Sequence, residues 1–168
     1  MEINEFWYLI ERVKSSSGID IDKRSVILAQ ELKKLKPSEI VSFSKIFSDL
    51  LAQAYSWELW GAAYTIQGGC GDDGFWDFRS SLISVGKAPF SLALTNPDSL
   101  ADLDENEIDN LYFEGFQYVA GKIYEELTGK EIPSPQDPHP SKPTGKNWDF
   151  DDEEITKSKL PRLFSKFW

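Results

Sequence analysis

The sequence contains a single cysteine, Cys70, and a single histidine, His139, among its 168 residues. With one cysteine no disulfide can form within the chain, which suits a reducing compartment. One cysteine and one histidine cannot supply any of the usual zinc-ligand sets, so we expect neither a metal nor a cofactor. A Ser-His-Asp triad would depend on His139, and no G-x-S-x-G turn is present. These absences disfavour the common hydrolase and metalloenzyme classes.

Long apolar runs and a basic leader are missing as well. No stretch approaches the roughly 18 consecutive apolar residues of a membrane span. The first residues, MEINEFWYLIERVK, place acidic side chains before the apolar ones. A signal peptide would instead begin with a basic region and end at a small-residue cleavage site. We therefore expect a cytoplasmic protein that does not engage a membrane.

Basic residues are in the minority. Eighteen Lys and Arg residues face 28 Asp and Glu residues, and the formal net charge is −10. Because nucleic-acid binding relies on Lys and Arg that neutralise phosphates, this balance disfavours a nucleic-acid partner. It favours a basic protein partner, since complementary charge speeds encounter, although solubility alone also explains it. No Lys or Arg occurs between residues 88 and 121, where seven carboxylates lie: Asp98, Asp102, Asp104, Glu105, Glu107, Asp109 and Glu114.

Strand patterns are hard to find. No segment alternates apolar and polar residues over four to eight positions, and Val and Thr are scarce. Apolar residues recur instead at helical spacing, as in Ile40, Phe43, Phe47 and Leu51. The sequence predicts an all-α fold, a compact multi-helix bundle of about six to seven helices.

Local signals predict several helix boundaries. Asp20 is a suitable N-cap for a second helix, and Pro37 fits the first turn of a third. The segment that begins SWELW continues the helical spacing, either as an extension of the third helix or as a fourth. One long helix is predicted over residues 104–127, and Gly129 ends it.

Proline marks a change of composition after residue 130. KEIPSPQDPHPSKPTGK holds five of the nine prolines and almost no apolar residues, which predicts an extended arm. The segment that follows is too rich in Trp, Phe and Leu to remain in water. The predicted organisation is a helical domain at 1–129, a Pro-rich arm at 130–147 and an aromatic C-terminal segment at 148–168 that docks on the helical domain.

A glycine-rich loop, QGGCGDDGFWDFR, occupies residues 67–79. It lacks the Lys-Ser/Thr pair of a phosphate loop and the ligand spacing of an EF-hand. We interpret it as a helix stop, a tight turn and a helix start, with Asp72 or Asp73 as the N-cap. A helix N-terminus beside Cys70 would activate its thiol, whereas the two aspartates would raise the thiol pKa. A Cys–His enzyme would also need His139 to reach this loop from the arm.

The same region carries a family resemblance. The segment WGAAYTIQGGCGDDGFWDFRSSLISVGK, together with FWYLIE, DSLADL and YEELTG, resembles a bacterial family known as domain of unknown function 4240, over about residues 1–130. The resemblance implies a bacterial, cytosolic protein and a glycine-rich loop shared by relatives. It implies no activity, because none is assigned to the family, and so it supplies no catalytic residues.

The leading hypothesis is a non-enzymatic protein-interaction module. Its acidic face would present Asp102, Asp104, Glu105 and Glu107 to a basic partner. Small acidic helical bacterial immunity proteins, which neutralise basic toxins, provide the analogy. A stabilising role competes with this interpretation, since acidic residues at the start of a helix interact favourably with its dipole.

The alternative is a small-ligand or metal-binding protein, or an enzyme, with its site at the 68–79 loop. Aromatic residues at helical spacing lie in a core more often than in a pocket. This weakens the case for Trp57 and Trp60 as binding residues. Self-assembly through the C-terminal LPRLFSKFW stretch is a third hypothesis, and the oligomeric state stays open. The candidate binding residues of the alternative are Trp57, Trp60, Cys70, Asp72, Asp73 and Arg79.

Overall fold

The structure is a computed structural model that describes residues 1–134 and 139–168. These residues form ten α-helices and three short 3₁₀ helices, with no strand among them. In chain order they are α1 (Ile3–Ser17), α2 (Ile21–Leu32), α3 (Pro37–Gln53), α4 (Trp57–Gln67), α5 (Asp72–Val85), α6 (Lys87–Thr95), η1 (Pro97–Asp102), α7 (Glu105–Asp109), η2 (Asn110–Tyr112), η3 (Phe116–Tyr118), α8 (Val119–Thr128), α9 (Glu153–Lys159) and α10 (Pro161–Phe167). The all-α prediction is confirmed. The predicted count of six to seven helices is too low.

The prediction of one long helix over 104–127 is wrong. The chain there is divided into α7, η2, η3 and α8. Gly115, between η2 and η3, has φ 134°, which L side chains rarely adopt and which is incompatible with a continuing α-helix. Leu111 and Phe116 are still buried on either side of it. The apolar spacing of a helix therefore survives in the sequence although the helix is broken.

Local capping chemistry explains why α3 and α4 are separate helices. Ser56 has an extended backbone, and its hydroxyl oxygen accepts a hydrogen bond from the Leu59 N–H at 3.2 Å. The predicted cap at Asp20 is present too, with its carboxylate accepting from the Lys23 N–H at 2.9 Å. Each cap satisfies a backbone N–H group that has no partner within its helix. Gly68, at φ 67°, ends α4 in the left-handed conformation.

The core is aromatic and is built mainly by α1, α3 and α5. Phe6, Phe43, Phe75 and Phe78 are all at most 2% exposed. The ring centroids of Phe6 and Phe43 lie 4.7 Å apart, which is within the range of favourable aromatic pairs. Since α5 packs against α1, α3, α6 and η2, its position is fixed along its length. The first turns of α5 are therefore a rigid support for the site described below.

A buried ion pair joins α2 to α7. Arg24 is 0% exposed, and its Nη2 lies 3.2 Å from Oε1 of Glu107, which is 5% exposed. The guanidinium also donates to the Ser84 hydroxyl at 3.0 Å and the Gly18 carbonyl at 3.1 Å. Lys14 approaches the same carboxylate at 3.4 Å. The prediction that Glu107 belongs to an exposed acidic face is wrong, because this carboxylate compensates a buried cation.

The C-terminal helices pack on the body of the same chain. Leu160 and Leu163 are buried in the main core, where α10 contacts α4 and η1. The buried carboxylate of Asp98 accepts hydrogen bonds from the backbone N–H groups of Arg162 at 3.0 Å and Leu163 at 2.9 Å. This carboxylate thereby caps α10, whose start at Pro161 offers no side-chain cap of its own.

Two further contacts hold the segment that precedes α9. The Trp148 ring lies directly over Gly61 of α4, in space that a side chain at position 61 would fill. Thr144 makes a short parallel bridge with the junction of α3 and α4. Its N–H donates to the Tyr55 carbonyl at 2.9 Å, and its carbonyl accepts from the Trp57 N–H at 2.9 Å.

In the described ranges no helix is both long and apolar enough to cross a bilayer.

Candidate functional site

The glycine-rich loop forms a tight corner between α4 and α5. Gly68 and Gly69 both have positive φ, at 67° and 137°, and the Gly69 N–H donates to the Tyr64 carbonyl at 3.0 Å. The Trp60 indole N–H donates to the Cys70 carbonyl at 2.8 Å and fixes the corner to α4. The interpretation as a helix stop, turn and helix start fits this geometry. The N-cap of α5, however, is Gly71.

Asp72 and Asp73 therefore do not act as N-caps. They are the first two residues of α5 and are exposed. There they interact favourably with the positive end of the helix dipole, which accounts for part of their role without any ligand.

A cavity of about 470 Å³ lies beside the first two turns of α5. Asp73, Trp76 and Asp77 line it from α5, Glu114 lines it from the turn after η2, and Tyr118 lines it from η3. Residues 73, 76 and 77 have the spacing that places side chains on one face of a helix. The cavity therefore combines three carboxylates with two aromatic rings.

Asp77 is held in the cavity by a hydrogen-bond network. The Gln117 amide nitrogen donates to Asp77 Oδ1 at 2.7 Å. The Gln117 carbonyl oxygen accepts from the Ser80 hydroxyl at 3.0 Å and from the Gly115 N–H at 3.3 Å. These two donors fix the orientation of the amide, and the amide in turn fixes the carboxylate.

The electrostatics around Asp77 disfavour its negative charge. Partial burial raises the pKa of the Asp77 carboxyl, the hydrogen bond from Gln117 lowers it, and the nearby charges of Glu114 and Asp73 raise it again. The net direction is upward. The three carboxylates of the cavity therefore repel one another, and a cation placed among them would relieve that repulsion.

Trp57 and Trp60 lie outside the cavity lining. The two rings stack at 5.3 Å, and Trp60 also stacks on the buried Phe75 at 4.8 Å. Trp57 contacts Phe150 of the C-terminal segment at 6.2 Å. Both tryptophans thus belong to the packing between α4, α5 and the C-terminal segment.

Cys70 has the properties of an unreactive thiol. Burial raises the pKa of the Cys70 thiol to about 12, and the charges of Asp72 and Asp77 act in the same direction. Because the thiolate is the nucleophilic form, this thiol stays protonated at neutral pH. His139, the base that a Cys–His enzyme would need, lies against Arg79 instead. The activation expected from the helix N-terminus is outweighed by burial.

Arg79 is a buried anchor and is 2% exposed. Its Nη1 donates to the Leu51 carbonyl at 2.8 Å and lies 2.9 Å from Nε2 of His139. Its guanidinium carbon lies 4.5 Å from the Tyr55 ring centroid and 5.1 Å from that of Trp76. Burial lowers the pKa of Arg79 to about 10, so the group remains charged at neutral pH. Arg79 therefore holds the arm residue His139 against α5, and its role as a binding residue stays a prediction.

We expect this contact to make stability depend on pH. Burial lowers the pKa of His139, and the charge of Arg79 lowers it too. The hydrogen bonds between the His139 ring and backbone groups raise this pKa and offset part of the shift. A lowered folded-state pKa means that the unfolded chain binds the proton more readily. The stability that the neutral His139 ring contributes is therefore fully present above the ordinary histidine pKa of about 6.5. It is lost as the pH falls from there through the folded-state pKa. The free energy of unfolding, measured in urea between pH 7.5 and 5, should fall more steeply in the wild type than in His139→Gln.

Parallel curves for the two proteins would contradict the expectation. The comparison cancels the carboxylate titrations that the two proteins share. A direct NMR titration of the His139 ring should also give a pKa below the ordinary value.

The predicted acidic face is only partly exposed. Asp102 is paired with Arg162, and the hydrogen bond from this guanidinium lowers the pKa of the Asp102 carboxyl. Asp104 caps α7, with its Oδ1 accepting from the Glu107 N–H at 2.9 Å. Glu105 is exposed and makes no ion pair with any residue that the structure describes. Of the four predicted residues, Asp104 and Glu105 are exposed and form no ion pair with the described residues.

The acidic segment nevertheless leads to the cavity. Near the end of α5, Ser84 and Glu107 bind the same buried arginine, and near its start Asp77 binds Gln117. The segment between residues 107 and 117 therefore runs back along α5 from Ser84 to Asp77. At the helical rise of about 1.5 Å per residue, this part of α5 is about 10 Å long. This course brings Glu114 beside Asp73 and Asp77.

Sequence reasoning missed much of the cavity. The candidate set contained Asp73 but omitted Trp76, Asp77, Glu114 and Tyr118. The i, i+3, i+4 spacing on α5 was a usable signal for the first two of these. The approach of Glu114 depends on the break at residue 115, which the apolar pattern does not show.

A metal site is not supported in the described part of the chain. No group of three or more His, Cys, Asp or Glu side chains there has a geometry suited to an ion. The side chains that line the cavity are three carboxylates and two aromatic rings.

These features define a class of all-helical protein with a cavity of carboxylates and aromatic rings beside a buried central helix. The chain belongs to the family described as "Protein of unknown function (DUF4240)", with the match covering residues 1–126. The resemblance to this family is confirmed, and the matched region includes every residue that lines the cavity. Comparison with curated proteins gave no match, and comparison with solved structures gave none either.

Proposed function

We propose that this chain is a non-enzymatic protein-interaction module that binds a basic partner. The interaction would use an acidic strip that follows α5 and the segment packed on it. We define the acidic strip by its carboxylates: Asp72, Asp73, Asp77, Asp104, Glu105, Asp109 and Glu114. The observation that carries the proposal is that none of them forms an ion pair with a Lys or Arg in the described residues.

Unpaired like charges in one region attract a partner of opposite charge over a distance. Such a field speeds encounter and weakens as salt is added. The alternative explanation, stabilisation of helix starts, covers Asp72, Asp73, Asp104 and Glu105. It does not cover Asp77 or Glu114, since Asp77 lies beyond the first turn of α5 and Glu114 lies outside a helix.

A matched pair of charge-reversed proteins tests the proposal. Both carry three carboxylate-to-lysine changes at exposed positions without ion pairs, so their net charges are equal. The strip variant changes Asp73, Glu105 and Glu114 to lysine. The control variant changes Asp22, Glu125 and Glu154 to lysine.

Each protein is immobilised and used to capture partners from host lysate at low and high salt. The proposal is supported by a basic partner that elutes with salt and is retained by the control variant. The amount of this partner captured by the strip variant should be lower by about tenfold or more. Equal retention by the two variants overturns it. Far-ultraviolet circular dichroism of both variants verifies that the helical fold is unchanged.

A second candidate function is the binding of a small organic cation at the cavity. Its specific support is the open cavity of about 470 Å³ that is lined by a carboxyl, Asp77, whose pKa is raised.

A further inference from the structure

The cavity beside α5 suits one chemical group in particular, and this inference rests on the proposed function. We propose that the cavity receives the guanidinium group of an arginine side chain presented by the basic partner. A planar guanidinium can donate several N–H groups to carboxylates while its face lies on an aromatic ring. The cavity offers both kinds of surface in about 470 Å³, within the range of roughly 300–1,000 Å³ of ligand sites.

Among the carboxylates of the cavity, Asp77 is held in position by the fold. Gln117 occupies Oδ1 of Asp77 at 2.7 Å, and Oδ2 has no hydrogen bond from the described residues. Asp73 and Glu114 line the same cavity from two different parts of the chain. A guanidinium that enters between them could donate to carboxylates on more than one side. Carboxylates on a single helix turn would not offer this arrangement.

The mutual repulsion of these groups supports a cationic ligand. Glu114 and Asp73 both raise the pKa of Asp77, so the negative charges that line the cavity disfavour one another. The hydrogen bond from Gln117 opposes this effect and keeps the Asp77 oxygen in place. A bound guanidinium would reverse the sign of the local interaction.

The aromatic residues supply the second half of the site. Trp76 is half-buried: its ring packs against the chain's own Arg79 and His139, each at 5.1 Å, and the same residue lines the cavity. Tyr118 is 49% exposed, although it lines a cavity. Cation–π contact with such rings strengthens as water is excluded, and arginine makes it more often than lysine. An exposed tyrosine beside three carboxylates is thereby given a function.

Arginine fits better than the other common cations. A lysine ammonium is a compact, strongly hydrated charge that cannot lie flat on a ring while it bridges two carboxylates. A divalent ion has no suitable ligand group in the described residues. The combination of rings and carboxylates therefore selects a flat cation.

Small probes test this site without the partner. Nα-acetyl-arginine methylamide is titrated into the full chain, with the lysine analogue and the uncharged citrulline analogue as comparisons. The readouts are the indole N–H of Trp76, assigned with Trp76→Phe, and the side-chain amide of Gln117, both followed by ¹H–¹⁵N NMR. We expect saturable shifts for the arginine probe, and a Kd at least about tenfold higher for the citrulline probe, which lacks the charge.

Two conservative variants locate the binding. Asp77→Asn keeps an oxygen that can accept from Gln117 but removes the charge, and it should raise the Kd for the arginine probe by about tenfold. Asp22→Asn removes an exposed negative charge from the first turn of α2, outside both the cavity lining and the acidic strip, and it should change the Kd by less than about twofold. Unsaturable shifts, equal affinity for the lysine probe, or unchanged affinity in Asp77→Asn would each overturn the inference.

The two proposals can fail independently. If the partner depends on the acidic strip but the arginine probe does not bind, the inference fails and the interaction module stands. If the probe binds at Trp76 and both charge-reversed proteins capture the same partner equally, the interaction through the strip fails. The cavity would then act on a small guanidinium compound, as in the second candidate function, and the assignment to a partner's side chain would be withdrawn.

Discussion

Replacing Arg24 with methionine is expected to lower the free energy of unfolding by about 3 kcal/mol, the lower end of the cost of breaking a buried ion pair. The substitution leaves Glu107 buried without its main partner and removes the donors to Ser84 and Gly18. The lower end applies because Lys14 remains 3.4 Å from the same carboxylate. Urea unfolding at neutral pH, followed by circular dichroism, measures the change.

The double variant Arg24→Met with Glu107→Leu separates the ion pair from simple packing. Replacing both partners with apolar groups removes the uncompensated charge, so the double variant should be more stable than Arg24→Met alone. The matched control is Arg12→Met, which breaks the exposed pair of Arg12 with Glu31 and should cost less than about 1 kcal/mol. A double variant less stable than the single variant would show that the charge on Glu107 is not what the arginine compensates.

The second large effect is expected at Gly61, where the same substitution should change sign with its surroundings. In the full chain Gly61→Ala places a methyl group in the space of the Trp148 ring, and we expect a loss of about 1–3 kcal/mol from overpacking. In a background of Trp148→Ala and Phe150→Ala the overlap disappears. There the same change should stabilise α4 by about 1 kcal/mol, because alanine favours a helix over glycine.

Gly121→Ala is the control for this reversal. Gly121 also lies inside a helix, and a methyl group there would meet only Ile132, at an ordinary 3.7 Å. It should stabilise the full chain by about 0.5–1 kcal/mol. Thermal and urea unfolding of the variants measure the signs. If Gly61→Ala destabilises both backgrounds equally, the Trp148 ring is not the cause.

The parts of this fold that the sequence predicts are those decided by neighbouring residues. Asp20, Pro37 and Gly68 act within one helical turn of where they stand, so their effects are readable from local chemistry. The break at Gly115 is different, because a glycine inside a helical pattern is compatible with either outcome. Only the packing of Phe116 and its neighbours decides between them.

The candidate site was predictable to a smaller extent for the same reason. The charge of Glu107 is visible in the sequence, but its burial depends on Arg24, which lies 83 residues away. Conversely, Asp77 is not among the candidate binding residues, although the spacing on α5 is visible in the sequence. Its significance depends on Glu114, which reaches it through a turn that the apolar pattern conceals.

The docking of α10 has a practical consequence for work on this family. The matched region ends at residue 126, whereas Leu160 and Leu163 fill part of the main core. Excision at the end of the match would open hydrophobic surface on α4 and η1 to water and strip the Asp98 carboxylate of its backbone donors. The smallest self-sufficient piece of this chain therefore extends beyond the boundary that the family match draws.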